Sequence, residues 1–253
     1  MIDVTNYPSP EAATATVVYA VADTHGQLDL LMAMETLIKK DIEAMQPEHP
    51  VICYLGDYVD RGPHSAGIID YLQAAKQADG ISRVFLKGNH EDRMIDFLVD
   101  PASYGASMLK YGGLQLMQSY GLPITEEHED YDWLQLRDEF KEAIPAAHHE
   151  FLRNLRLVFR WKGYLFVHAG LNLEKPLQAQ EERDLMWIRD PFLESGKDWG
   201  FIVVHGHVIV DEPEFRPNRI DMDTGAFKNG VLSCLVAAEG GTRVLQVRNP
   251  AGK

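Results

Sequence analysis

Val51-Ile52-Cys53-Tyr54-Leu55-Gly56-Asp57 is a short apolar run that ends on a glycine and a carboxylate. The run is too short for a typical helix and rich in β-branched and aromatic side chains, so it reads as a buried strand. The same pattern repeats on either side of it. Val17 to Ala22 leads into Asp23-Thr24-His25-Gly26, and Val84 to Leu86 leads through Lys87 into Gly88-Asn89-His90-Glu91. Leu165 to Val167 meets His168-Ala169-Gly170, and Phe201 to Val204 meets His205-Gly206-His207. Five strand ends thus carry a ligand-type side chain beside a glycine, which lets the backbone turn sharply and approach closely. In open α/β sheets, sites form at strand ends.

The segments between these runs are helical. Leu28, Leu31, Met34, Ile38, Ile42 and Met45 fall three or four apart and predict an amphipathic helix. Ala66 to Gln77 and Asp92 to Val99 predict shorter ones. Residues 101–153 differ in character. Gly105, Gly112, Gly113 and Gly121 punctuate the first half. Glu126 to Asp132 reads as an acidic loop, and Trp133, Leu136, Phe140 and Ile144 form an apolar stripe that reads as core. Pro145 then starts a further helix. This stretch is a helical insertion. The last quarter (Arg219 to Met222, Val231 to Ala238, Thr242 to Val247) predicts strands joined by tight turns. The fold class is α/β, with residues 1–253 forming one unit.

Composition narrows the function. The chain has 253 residues and a formal net charge of −14. That balance argues against a nucleic-acid or membrane partner, since both require basic clusters. A phosphorylated substrate remains compatible, because a bound metal reverses the local sign. Cys53 and Cys234 both lie in apolar runs, so no disulfide framework is expected. Met1-Ile2-Asp3-Val4 has neither a basic nor an apolar leader region, and no apolar stretch approaches 18 residues. The expected location is the reducing cytoplasm.

The candidate metal ligands are Asp23, His25, Asp57, Asn89, His168, and either His205 or His207. This oxygen–nitrogen set without thiolate suits Mn²⁺, Fe²⁺ or Zn²⁺. Six ligands exceed the needs of one catalytic ion, but two ions sharing Asp57 as a bridge would use them all. Such a pair clamps a phosphoryl group and lowers the pKa of a water for in-line attack. Arg61 and Arg189 are candidates for the remaining phosphate charge. His90 is placed to protonate the leaving oxygen, with Asp60 fixing its tautomer. Other histidines read differently. His148 and His149 are expected at the solvated surface, and His49, His64 and His128 in loops without partners.

Three blocks, Asp23-Thr24-His25-Gly26-Gln27, Gly56-Asp57-Tyr58-Val59-Asp60-Arg61-Gly62 and Gly88-Asn89-His90-Glu91, are followed by His168-Ala169-Gly170, His205-Gly206-His207 and Asp223-Thr224-Gly225. In this order they resemble the PPP family of metal-dependent phosphoprotein phosphatases, within the calcineurin-like phosphoesterases, over roughly residues 17 to 247. The length and the Trp187-Ile188-Arg189 context resemble its compact bacterial and phage branch. The resemblance implies a β-sandwich flanked by helices, with two metal ions, Mn²⁺ by preference, at one end. It implies Asp23, His25 and Asp57 on one ion, and Asp57, Asn89, His168 and His207 on the other, which leaves His205 outside. It also implies His90 as the acid, Asp60 as its partner, and Arg61 and Arg189 as phosphate ligands. Ala22 and Val208 depart from the family's usual Gly-Asp and Gly-His-Thr patterns, and neither change removes a ligand.

The expected function is phosphomonoester hydrolysis, on phosphoserine or phosphothreonine in proteins. A diadenosine tetraphosphate hydrolase is the nearest alternative; Glu91, where that branch carries aspartate, favours the protein phosphatases. A non-catalytic phosphopeptide-binding scaffold is the third reading, and the intact ligand set with His90 speaks against it.

Overall fold

The computed structural model describes residues 1–7, 9–125 and 131–249. Its strands are β1 (Val17–Val21), β2 (Pro50–Tyr54), β3 (Ser82–Phe85), β4 (Val158–Trp161), β5 (Tyr164–Val167), β6 (Ile202–His205), β7 (Glu214–Phe215), β8 (Arg219–Asp221), β9 (Val231–Ala238) and β10 (Gly241–Arg248). Its α-helices are α1 (Leu28–Met45), α2 (Ser65–Ala78), α3 (Asn89–Val99), α4 (Pro101–Met108), α5 (Leu114–Ser119), α6 (Trp133–Ala143), α7 (Ala146–Arg153), α8 (Glu182–Trp187), α9 (Asp190–Leu193) and α10 (Ala226–Asn229).

Two mixed five-stranded sheets result, in the orders β10-β9-β1-β2-β3 and β4-β5-β6-β8-β7. In the first, β1, β2 and β3 run parallel, joined by the α1 and α2 crossovers, and β9 pairs antiparallel to β1. In the second, β5, β6 and β8 are parallel. Period two divides the second sheet between two cores. Phe159, Trp161, Phe166, Val204 and Ile220 face the core shared with the first sheet. Val158, Leu165, Val167 and Val203 face the opposite way, onto α8 and α9 through Leu185, Met186 and Phe192. This is the sandwich flanked by helices that the resemblance implied. The parallel strands of both sheets deliver their C-terminal ends to one edge, which gathers the motif residues.

Several elements depart from expectation. β4 and β7 were not foreseen. β4 forms one arm of a hairpin with β5, closed at Lys162, whose φ of 49° is left-handed. Helix α3 begins at Asn89, three residues before the predicted start, because Glu91 reaches back to the Gly88 amide at 2.9 Å and closes the first turn. On α1, Ile42 is half-buried and Met45 is exposed, so the apolar stripe is shorter than its spacing suggested.

The insertion is helical, as expected, and Pro145 precedes α7. Leu136, Phe140 and Ile144 are buried in the core. Most of the predicted acidic loop, including His128, lies outside the described residues; its last residue, Asp132, caps α6 by accepting the amides of Leu134 and Gln135 at 3.0 and 3.1 Å. The surface placement of His148 is overturned. Its side chain is buried, with Nδ1 2.8 Å from the Tyr120 hydroxyl and Nε2 2.9 Å from Asp70 Oδ1. Packing of α7 against α2 covers the ring, and that contact lies far from His148 in sequence. Cys53 and Cys234 are buried free thiols. Among the described residues, no helix is long and apolar enough to cross a membrane.

Candidate active site

The strand-end loops converge through backbone conformations that ordinary side chains seldom adopt. His25, Asp57, Asp60, Arg61 and His207 all have φ between 41° and 70°. The loop after β2 is held from outside. Glu91, fully buried, accepts the amides of Asp57, Tyr58, Val59 and Gly88 at 2.9, 2.7, 3.2 and 2.9 Å. Burial, together with the charge of Asp57, pushes its pKa up to about 7. Gly88 is required by close approach, since a Cβ there would stand 2.1 Å from Asp57 Oδ1.

Asp57 occupies the centre. Its Oδ1 accepts the His90 amide at 3.0 Å. Its Oδ2 lies 3.4 Å from His25 Nε2, 3.5 Å from His168 Nε2 and 3.9 Å from His90 Nε2. Burial opposes its charge, but these three rings hold the carboxyl well below the usual range. Each flanking imidazole is aimed by its other nitrogen. His25 Nδ1 pairs with the Val59 carbonyl at 2.8 Å, and His168 Nδ1 with the Leu55 carbonyl at 2.9 Å. Asn89 Oδ1 is 2.9 Å from His168 Nε2 and 2.8 Å from His207 Nδ1. Asp23 accepts the His207 amide through Oδ2 at 3.0 Å.

Among the described residues, two groups of ligand atoms meet within 4.8 Å of one another: His25, Asp57 and His90, and Asp57, His168 and His207. Asp57 belongs to both. Asp23 is buried beside them and belongs to neither. His205 also lies outside them; it is buried with Nδ1 3.0 Å from the Gly206 carbonyl and Nε2 3.3 Å from Arg219 Nη1. A pair of divalent ions fits these residues. Asp23 Oδ1 and His207 Nε2 are buried with no hydrogen-bond partner. Asp23, besides being desolvated, faces Asp223 and Asp57, and its carboxyl is raised well above its ordinary pKa. Crowded buried carboxylates of this kind call for cationic charge.

His90 and Asp60 form a dyad, with Nδ1 2.5 Å from Asp60 Oδ2. Burial lowers the pKa of His90, but Asp57 and Asp60 outweigh it and raise it above the ordinary value. Asp60 is fully buried, and its amide donates to Ser65 Oγ at 3.1 Å. His25, Asp57, Asn89, His90 and His207 border a cavity of about 310 Å³ that Arg61, Arg189, Asp223 and Phe227 also line. Arg61 is positioned by the insertion: its amide donates to the Gly112 carbonyl at 3.3 Å, and Gly112 has φ 107° with no room for a Cβ against the Arg61 backbone. Arg189 is exposed.

The profile of the calcineurin-like phosphoesterase family matches residues 16–233. The chain belongs to this family. Among relatives of this calcineurin-like phosphoesterase is the bis(5'-nucleosyl)-tetraphosphatase PrpE of Anoxybacillus flavithermus, 24% identical over 233 residues, covering 85% of this chain and 88% of that protein. A protein phosphatase 2A catalytic subunit of Dictyostelium discoideum is 33% identical over 132 residues, covering 52% of this chain and 37% of its own. The phosphoesterase also shares its fold with a protein serine/threonine phosphatase from Saccharomyces cerevisiae, with a TM-score of 0.56, 13% identity, and 94% and 82% of the two chains covered.

Two contributors escaped the sequence reading. Asp223 enters the cavity wall from the end of β8, a sixth strand end that its Asp-Thr-Gly block could have signalled. Glu91 was read for substrate preference, whereas its carboxylate is spent on backbone amides.

Proposed function

We propose that this calcineurin-like phosphoesterase hydrolyses phosphomonoesters, with phosphoserine and phosphothreonine of proteins as its substrate class. The observation that carries the reading is the His90–Asp60 dyad beside the Asp57-centred cluster. An alkoxide leaving group is a strong base and needs a proton as it departs, whereas the phosphate leaving an anhydride does not. A buried acid with a raised pKa suits the first case.

In this reading Asp23, His25 and Asp57 hold one divalent ion, and Asp57, Asn89, His168 and His207 hold the other; Mn²⁺ is the proposed pair, with iron or zinc as alternatives. When bound, the pair supplies positive charge to the phosphoryl oxygens and acidifies a water. Arg61 and Arg189 orient the phosphoryl group through charged hydrogen bonds. His90 gives its Nε2 proton to the ester oxygen, while Asp60 keeps the ring turned and charged. The reducing cytoplasm suits the two buried free thiols.

A second reading is dinucleoside polyphosphate hydrolysis. It is favoured by the PrpE relative, which is matched along most of both chains. Phosphate release from a phosphopeptide panel and from diadenosine tetraphosphate, by metal-stripped protein restored with Mn²⁺, separates the two. Faster peptide turnover is expected. Preferential cleavage of the dinucleotide would replace the substrate class, and turnover of neither with metal bound would leave a phosphopeptide-binding scaffold.

A further inference from the structure

Arg93 lies one helical turn beyond His90 on the same face of α3. It is 6% exposed, and Nη1 is buried without a hydrogen-bond partner. Its guanidinium is clasped between two rings, with Cζ 4.4 Å from the Tyr111 centroid and 4.9 Å from that of Trp187. Tyr111 carries Arg61 on its flank as well, at 5.7 Å. Trp187 is pinned by Asp92, which accepts its indole N–H at 2.9 Å, and stands two residues before Arg189. Arg93 thus sits between the supports of the two proposed phosphate ligands, on the side of the proposed acid.

A buried guanidinium ordinarily has a carboxylate partner, because desolvating it without one is costly. Here the nearby carboxylates are engaged elsewhere, save Asp60 Oδ1, which like Arg93 Nη1 is buried without a hydrogen-bond partner. Asp60 is engaged by His90, Asp57 by the histidine cluster, and Asp92 by Lys87 at 2.7 Å and by Trp187. Aromatic faces offset part of the cost, but they leave Nη1 without a hydrogen-bond acceptor. We infer that Arg93 is a specificity-determining residue that receives a second anionic group carried by the leaving group. The group is an acidic side chain next to the phosphorylated residue or the next phosphate of an anhydride chain. The inference rests on the phosphohydrolase reading above.

The test is steady-state kinetics of the full Mn²⁺-restored chain and of Arg93→Met and Arg93→Lys. Four substrates are compared: p-nitrophenyl phosphate, a phosphoserine peptide with neutral flanks, the same peptide with acidic flanks, and diadenosine tetraphosphate. For Arg93→Met, kcat/KM should fall about 10- to 100-fold on one or both anionic substrates, mainly through KM. It should stay within about threefold on the other two, and Arg93→Lys should recover part of the loss. The arm that falls identifies the source of the anion. Equal losses on all four, or none, would overturn the subsite in favour of a brace for Tyr111 and Trp187. If the variants do not fold, the wild type alone decides: a lower KM for the acidic peptide than for the neutral one, or for the dinucleotide than for p-nitrophenyl phosphate, supports the subsite, and no such difference removes it. Failure of the wild type on every substrate would instead remove the phosphohydrolase reading, and this inference with it.

Discussion

His148 in the helical insertion and His207 just past the end of β6 are both buried. Both ring nitrogens of His148 are hydrogen-bonded, to Tyr120 and Asp70, and its backbone continues a regular helix. His207 has φ 70° and a buried, unpartnered Nε2. The contrast extends to their surroundings. Five of the seven non-glycine residues with left-handed φ among the described residues belong to the strand-end loops. Asp23 Oδ1, Asp60 Oδ1 and Arg61 Nε are buried there without partners. Each left-handed residue costs on the order of 1–3 kcal/mol, and each orphaned polar group a comparable amount. A brace satisfies its polar atoms; a site leaves them open for something that arrives later.

The sharpest way to break this contrast is at its centre. Asp57→Asn should lower kcat/KM at least about 10⁴-fold, since several kcal/mol of charge stabilisation depend on it. Metal analysis should show both sites weakened. Full activity with two ions bound would end the bridging role.

His90→Asn comes next, with a loss of roughly 10²- to 10³-fold in kcat on an alkyl phosphate and metal content retained. The loss should shrink on a nitrophenyl ester, whose leaving group needs no proton. Asp60 raises the pKa of His90, so Asp60→Asn should lower it. The protonated ring would then be lost at lower pH, and the alkaline limb of the kcat/KM profile should move down. A limb that stays in place or moves up would take Asp60 out of the dyad's chemistry.

His207→Ala should empty one metal position, while His205→Ala should leave metal content near normal, because His205 points at Gly206 and Arg219 rather than into the cluster. The reverse order in metal analysis would exchange their roles.

The candidate residues were legible because they lie in short, local patterns. A strand, a glycine and a ligand-type residue lie within a few positions of each other, so Asp23, Asp57, Asn89 and His168 could be picked out before their convergence was known. What remained hidden depends on contacts made across the fold. Glu91 reads as the fourth letter of a motif, but its work is to collect four amides from two loops. Asp223 follows a predicted strand and opens a quoted block, but its place in the cavity wall comes from the pairing of β8 with β6. Arg93 looks like one more charge on a helix until Tyr111 and Trp187 close over it. The burial of His148 requires α7 to meet α2 and Tyr120, and its only local signal is a place on the same helical face as Phe151 and Leu152, three and four residues on.

The smallest effect tests the other half of the comparison. His148→Leu preserves an apolar body but removes hydrogen bonds to Tyr120 and Asp70. The bond to Asp70 contributes little, because that carboxylate is 72% exposed and readily rehydrated. The Tyr120 hydroxyl is part-buried and loses its partner, so the expected cost is about 1–2 kcal/mol, read as a lower urea midpoint with unchanged slope. The folded variant should keep its metal content and its kcat/KM within about twofold. Stability and activity would then separate cleanly, with His148 acting on the first and His207 on the second. A variant of full stability and much reduced kcat/KM would instead tie the insertion's histidine to the chemistry, through the Gly112 contact that positions Arg61.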